Sequence, residues 1–91
     1  MELKDLRNEI DGIDAQLIKL FERRMKVCAQ VAAYKMENNL PVLDAGRESE
    51  KLARLETLMS EDMKEYGAAL YTKLFALSRE YQTKIMEQSQ N

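Results

Sequence analysis

The sequence predicts an all-α fold with three helices per chain, one of them long and N-terminal, and two such chains intertwined as a helical homodimer. The chain has 91 residues, which is enough for a single domain over residues 1–91. It contains three glycines and one proline, too few for the turns of an all-β fold. Apolar residues also recur with the period of amphipathic helices.

The first predicted helix runs from about residue 3 to about residue 38. Its apolar residues recur at alternating steps of three and four, as in a coiled coil. These residues, called the N-terminal seam below, are Leu3, Leu6, Ile10, Ile13, Leu17, Leu20, Val27, Val31 and Tyr34. Arg24 interrupts the seam, and Asn38, Asn39 and Pro41 end the helical pattern.

The length of this helix predicts a dimer. About 36 residues form a rod of roughly 54 Å, because each residue rises about 1.5 Å. A compact chain of this size has a radius of gyration of only about 12 Å, so one copy cannot cover the whole seam. We therefore expect two first helices to pair, with the later helices folding over both chains.

Two shorter helices follow. Asp44 is a suitable N-cap for the second, since its carboxylate can accept the free N–H groups of the first turn. This helix is expected to end near residues 59–60, and the third to run from about residue 62 to about residue 88. The apolar stripe of the third helix is Met63, Tyr66, Leu70, Leu74, Leu77, Tyr81 and Ile85.

Composition excludes several classes of function. There is no histidine, which removes histidine acid–base catalysis, the Ser-His-Asp triad and most zinc sites, and we expect neither metal nor cofactor. A net charge of -2 argues against nucleic acid as a partner. The lone Cys28 fits a cytoplasmic location. The acidic start and the absence of long apolar runs predict neither a signal peptide nor a membrane segment.

Three cationic residues of the first helix could bind an anion. Arg24 occupies an apolar seam position, where it either sets the register of the helix pair or forms an interior cationic site. Lys35 lies about 20° from the face of Arg24 and about 16 Å along the axis, so the two side chains could hold a small dianion. Arg7 is either an ordinary surface residue or, in an antiparallel pair, a neighbour of the other chain's Arg24.

Polar residues of the later helices could complete such a site. Asp44 is explained as a helix cap, and Glu48 is explained by the helix dipole, which favours acidic residues in the first turn. Arg47 is unfavourable to the same dipole, so its position suggests a functional role. Ser78 and Gln82, four residues apart within an apolar stripe, either lie on the surface or point donors into a pocket. Cys28, with no histidine to activate it, is interpreted as a packing residue.

Several segments between Arg7 and Gln82 carry a family resemblance. They are Arg7-x-x-Ile10-Asp11-x-x-Asp14, Leu20-Phe21-Glu22-Arg23-Arg24, Lys35, Leu40-Pro41-Val42-Leu43-Asp44-Ala45-Gly46-Arg47-Glu48 and Ser78-Arg79-Glu80-Tyr81-Gln82. In this order and spacing they resemble the all-helical class of chorismate mutases. The resemblance implies a small monofunctional enzyme, an intertwined homodimer with two active sites, that rearranges the dianion chorismate to prephenate in phenylalanine and tyrosine biosynthesis.

The resemblance also implies a role for each matching residue. The implied catalytic residues are Arg24, Lys35, Glu48 and Gln82. The implied substrate-binding residues are Arg7, contributed across the dimer interface, and Asp44, Arg47 and Ser78. Two alternatives stay open: an isochorismate-pyruvate lyase on the same scaffold, and a non-catalytic helical dimer that acts as a partner-binding or regulatory module.

Overall fold

A computed structural model describes residues 2–89, which form three α-helices and, within that range, no β-strand. Helix α1 spans Leu3–Glu37, α2 spans Ala45–Glu56 and α3 spans Lys64–Ser89, with a 3-10 turn at Glu61–Met63 before α3. The predicted all-α class with three helices is confirmed. No helix in the described part of the chain is both long enough and apolar enough to cross a membrane.

Local side-chain chemistry sets both ends of α1. The backbone N–H of Glu2 donates to the Asp5 carboxylate at 3.2 Å, which satisfies a free donor before the first turn. At the other end, the Asn38 amide donates to the Tyr34 carbonyl at 2.9 Å, and Asn39 has a left-handed φ of 53°. Asparagine tolerates that conformation better than most residues, so the chain turns here and Pro41 follows.

The second helix begins as expected and ends earlier. The Asp44 carboxylate accepts from the backbone N–H of Arg47 at 3.0 Å, so Asp44 is the predicted N-cap. The predicted end near residues 59–60 was wrong by about a turn. From Thr57 onward each N–H donates to the carbonyl three residues back, which tightens the chain into a turn. The third helix extends one residue beyond the predicted end.

A close contact accounts for Gly67 in α3. A Cβ atom at this position would collide with Sδ of Met59, which lies in the turn before the helix. Glycine therefore lets the α2–α3 connection pack against α3, at the usual cost of about 1 kcal/mol relative to alanine in a helix.

The interior of a single chain is small and lies at one end of the molecule. Both α1 and α2 pack against α3. The side-chain hydrogen bonds from α1 to α3 come from Cys28 and Lys35, in the C-terminal half of α1. Ala32 is the only fully buried apolar residue among those described, and the polar Ser78 and Gln82 are also buried. The best-packed region of the chain is therefore partly polar.

The first half of α1 has no cover within the chain. Its seam residues Leu3, Leu6, Ile10, Ile13, Leu17 and Leu20 are all 42–59% exposed. The molecule measures 54 × 28 × 14 Å with a radius of gyration of 16.5 Å, well above the value of about 12 Å for a compact chain of this length. One copy thus leaves a long apolar surface open to water, as the length of α1 predicted.

Candidate active site

A pocket of about 210 Å³ opens where α1, the start of α2 and α3 meet. Its lining residues are Arg24, Cys28, Val31, Lys35, Val42, Asp44, Arg47, Glu48, Lys51, Phe75, Ser78, Arg79 and Gln82. The lining includes every site residue suggested by the sequence except Arg7. Residues from three separate helices therefore converge on one cavity.

Lys35 holds two sides of this pocket together. Its Nζ atom donates to the Val42 carbonyl at 2.8 Å and to Gln82 Oε1 at 3.1 Å. An ammonium group has three N–H donors, so the described residues leave one of them for a ligand. The side chain is half-buried and belongs to the lining of the cavity, where a bound ligand could accept from that donor.

The contact with Lys35 fixes the orientation of the Gln82 amide. A lysine can only donate, so the amide oxygen must face Nζ and the amide nitrogen must face the other way. Gln82 Nε2 donates to Ser78 Oγ at 2.9 Å, and Ser78 Oγ donates to Cys28 Sγ at 2.9 Å. One Nε2 hydrogen is then left for a ligand. Lys35 and Gln82 thus belong to one hydrogen-bonded network in the lining of the cavity, and each keeps one donor unused by the described residues.

Burial makes this polar network rigid. Gln82 is 6% exposed and Ser78 is 8% exposed, yet no buried side-chain nitrogen or oxygen in the described chain lacks a hydrogen-bond partner. Leaving one such group unpaired would cost about 1–3 kcal/mol, so the network holds each member in one orientation.

Arg24 lies at the α1 wall of the cavity. It is half-buried, and its Nη1 atom lies 3.9 Å from Cys28 Sγ. The remaining guanidinium donors have no partner among the described residues, which leaves a fork suited to a carboxylate. The sulfur of Cys28 accepts from both Arg24 and Ser78 and so links Arg24 to α3.

The start of α2 supplies the acidic members of the lining. The Asp44 carboxylate is used in capping the helix. Glu48 forms an ion pair with Arg79 of α3, through Oε1 and Nη1. Arg47 is exposed at the rim of the cavity.

Arg7 is the one predicted residue that the fold keeps away from the pocket of its own chain. It is exposed on α1, roughly 25 Å along the helix axis from Arg24. A single chain cannot bring the two guanidinium groups onto one small molecule. Its contribution across a dimer interface stays a prediction.

Sequence reasoning missed the functional potential of several lining residues. Arg79 follows Ser78 directly on α3, so its place on the helix was visible, but its partner Glu48 lies on another helix. Lys51 lies one turn beyond Arg47 on α2 and carried no distinct signal. The apolar walls of Val31, Val42 and Phe75 likewise depend on how the helices meet.

The pocket is strongly cationic in a chain that is acidic overall. Five lining residues are positive: Arg24, Lys35, Arg47, Lys51 and Arg79. Only Asp44 and Glu48 are negative, whereas the whole chain carries a net charge of -2. Such a cavity favours a small anion with more than one negative group. The described residues contain no cluster of acidic or cysteine side chains that could hold a metal ion.

Comparison with known proteins gives concordant matches. The chain is 46% identical over 46 residues to the T-protein of Haemophilus influenzae, covering 50% of this chain and 12% of that protein. It is 37% identical to the bifunctional chorismate mutase/prephenate dehydratase of Aquifex aeolicus, covering 66% of this chain and 17% of that protein. The chain thus spans less than a fifth of these two relatives.

A third relative is similar in length. The chorismate mutase of Methanocaldococcus jannaschii is 27% identical over 92 residues, covering 99% of this chain and 93% of that protein. No solved structure gives a significant match. A family model described as chorismate mutase type II matches residues 6–83, most of the chain, and the chain therefore belongs to the chorismate mutase type II family.

Proposed function

We propose that this protein is a chorismate mutase, an isomerase that converts chorismate to prephenate by a Claisen rearrangement in phenylalanine and tyrosine biosynthesis. The observation that carries the proposal is the hydrogen-bonded Lys35–Gln82 pair in the lining of a cationic pocket, where each side chain keeps a donor that the described residues do not use. The catalytic unit is residues 1–91 acting as one domain. No cofactor is needed, because the rearrangement transfers no electron, proton or chemical group to another molecule.

The chemistry of the reaction suits a site without histidine. The substrate carries two carboxylates, an ether bridge and a ring hydroxyl. One carbon–oxygen bond breaks while one carbon–carbon bond forms, and no proton has to move. The enzyme must fold the enolpyruvyl group over the ring, which is an effect of orientation. It must also stabilise negative charge on the ether oxygen, which requires preorganised donors.

Lys35 and Gln82 supply those donors in this mechanism. The free N–H of Lys35 and the free N–H of the Gln82 amide both donate to the ether oxygen as its bond to carbon breaks. Each donor is already oriented by its other hydrogen bonds, so little reorganisation is needed at the moment of reaction. A preorganised donor of this kind lowers the barrier by about 3–4 kcal/mol.

The remaining residues bind and orient the dianion. Arg24 and Arg7 of the partner chain clamp the two carboxylates, for which guanidinium forks are well suited. Glu48 accepts from the ring hydroxyl. Asp44 fixes the loop beside Glu48 and assists Glu48 at the ring hydroxyl. Arg47 and Ser78 complete the polar lining.

We also propose that the active form is a cytoplasmic homodimer with two such sites. The exposed seam of α1 supports pairing, since water-exposed apolar surfaces of this extent mark interaction sites. Placing Arg7 opposite the partner's Arg24 in an antiparallel pair puts the two-fold axis beside residues 15–16, between Ile13 and Leu17 of the exposed seam. Pairing in this register covers the bare half of α1 and completes both pockets together.

The decisive experiment follows the ultraviolet absorbance of chorismate after addition of purified protein, with prephenate identified by NMR. Loss of absorbance with formation of prephenate supports the proposal. The R24L variant controls for a contaminating mutase, because it should be inactive when it is purified in the same way. Circular dichroism checks that its helix content is unchanged. Unchanged chorismate would refute the mutase function. A parallel assay with isochorismate, scored by release of pyruvate, would identify a lyase instead.

A further inference from the structure

The ion pair between Arg79 and Glu48 is the one charge pair inside the pocket of the described chain. It joins α3 to α2 across the cavity, from the residue that follows Ser78 to the first turn of α2. Both side chains are partly shielded, with 34% of the Arg79 side chain and 27% of the Glu48 side chain exposed. Arg79 takes no part in the hydrogen bonds proposed between the protein and its substrate.

We infer that Arg79 is a positioning residue, which holds the Glu48 carboxylate in the orientation that accepts the substrate's ring hydroxyl. The inference rests on the proposed mutase function. Arg79 contacts Glu48 through one nitrogen and one oxygen, Nη1 and Oε1. Among the described residues Oε2 has no donor, so this oxygen is left for the hydroxyl.

Two physical effects make such a partner useful. Glu48 has a flexible side chain, and a charge-assisted hydrogen bond removes rotamers that would point it away from the cavity. The same hydrogen bond occupies Oε1 of the carboxylate. It leaves Oε2 as the oxygen that can accept from the ring hydroxyl.

A purely structural role for the same ion pair makes a different prediction. If Arg79 only fastened α2 to α3, its loss would weaken the whole pocket and slow every substrate alike. If Arg79 orients Glu48, its loss should affect only substrates with a ring hydroxyl. The 4-deoxy analogue of chorismate, in which hydrogen replaces that hydroxyl, separates the two roles.

The experiment compares kcat/KM for chorismate and for the 4-deoxy analogue in the wild-type protein, R79M, R79Q, R79K and E48Q. In R79M we expect kcat/KM for chorismate to fall on the order of 10-fold, as for loss of a partly exposed charge-assisted hydrogen bond. The value for the deoxy analogue should change less than about 2-fold, since Glu48 has nothing to accept from it. R79K should recover most of the preference for chorismate, because it restores a cationic donor.

Controls keep the result interpretable. Arg54 is exposed on α2 outside the pocket, so R54M tests the effect of an Arg→Met change by itself. R79Q replaces R79M if the latter does not fold by circular dichroism. The positioning role would be overturned if kcat/KM fell equally for chorismate and for the deoxy analogue. It would also be overturned if R79M and R79Q kept the wild-type preference for chorismate over the deoxy analogue. A wild-type protein that converts no chorismate would instead refute the proposed function.

Discussion

Two inactive variants of this chain should restore activity when they are combined in one dimer. Arg7→Ala removes the guanidinium that we assign to the partner's site, and Arg24→Leu removes the guanidinium of the chain's own pocket. Each variant alone should lose turnover, because every site in its homodimer lacks one carboxylate clamp. A heterodimer of the two contains one site in which both arginines are present.

The size of the recovery follows from the geometry of α1. Arg7 and Arg24 of one chain are roughly 25 Å apart along the helix, so a working pair must come from two chains. Random pairing makes about half of the dimers heterodimers, and each of these has one intact site of its two. The mixture should therefore reach about one quarter of the wild-type activity per chain.

The assay is chorismate consumption after the two variants are unfolded together and refolded, at equal concentrations and with different affinity tags. Each variant refolded alone provides the baseline, and native mass spectrometry measures the heterodimer fraction. If heterodimers form and the rate stays at the baseline, Arg7 does not act in the partner's site. A wild-type protein that sediments as a folded monomer would refute the dimer itself.

Three further substitutions test the interior of the pocket and the helices around it. Lys35→Met should lower kcat by about 10²–10³-fold, as for a lost oxyanion-type donor, and an enzyme that keeps more than a tenth of its rate would contradict the role. The same change should lower the free energy of unfolding, measured by urea denaturation, by about 1–3 kcal/mol because Gln82 Oε1 loses its donor. The wild-type rate should stay level from about pH 5 to about pH 7, because the amide of Gln82 donates without taking up a proton, and a rate that collapses toward pH 7 would contradict this. Gln82→Glu should be active only at the acidic end of that range, because a carboxyl group donates only when it is protonated. Gly12→Ala should raise the free energy of unfolding by about 1 kcal/mol, since the new Cβ would meet no atom of its own chain within 4 Å. The same change at Gly67 should stabilise by less, because the end of the Met59 side chain must move; equal effects in urea denaturation would show that the Met59 contact is immaterial.

The helices were predictable because their signals are local. The seam repeats every three to four residues, and the Asp44 cap acts within a single turn of chain. The errors fell where hydrogen-bond geometry changes over one or two residues, as at the end of α2, where the last bonds span three residues instead of four. Such a change leaves no mark in the pattern of apolar residues.

Many of the residues that line the candidate site were predictable from the sequence, whereas the contacts between them were not. Ser78 and Gln82 share a helix face at any register, so their spacing alone indicated a common direction. The Lys35–Gln82 hydrogen bond joins residues 47 positions apart, and the Glu48–Arg79 pair joins residues 31 positions apart. No spacing within one helix encodes such a pair, because it depends on how two helices pack.

The sequence by itself determined three helices, an apolar seam too long for one chain to cover, and a set of cations and donors on defined helix faces. These follow from the period of the α-helix and from side-chain chemistry, which act over a few residues. Only the tertiary structure decided that those faces meet at one cavity, that Lys35 and Ser78 fix the orientation of the Gln82 amide, and that Glu48 pairs with Arg79. Contacts between distant segments depend on the rotation and offset of packed helices, and a repeating pattern along one chain leaves both quantities free.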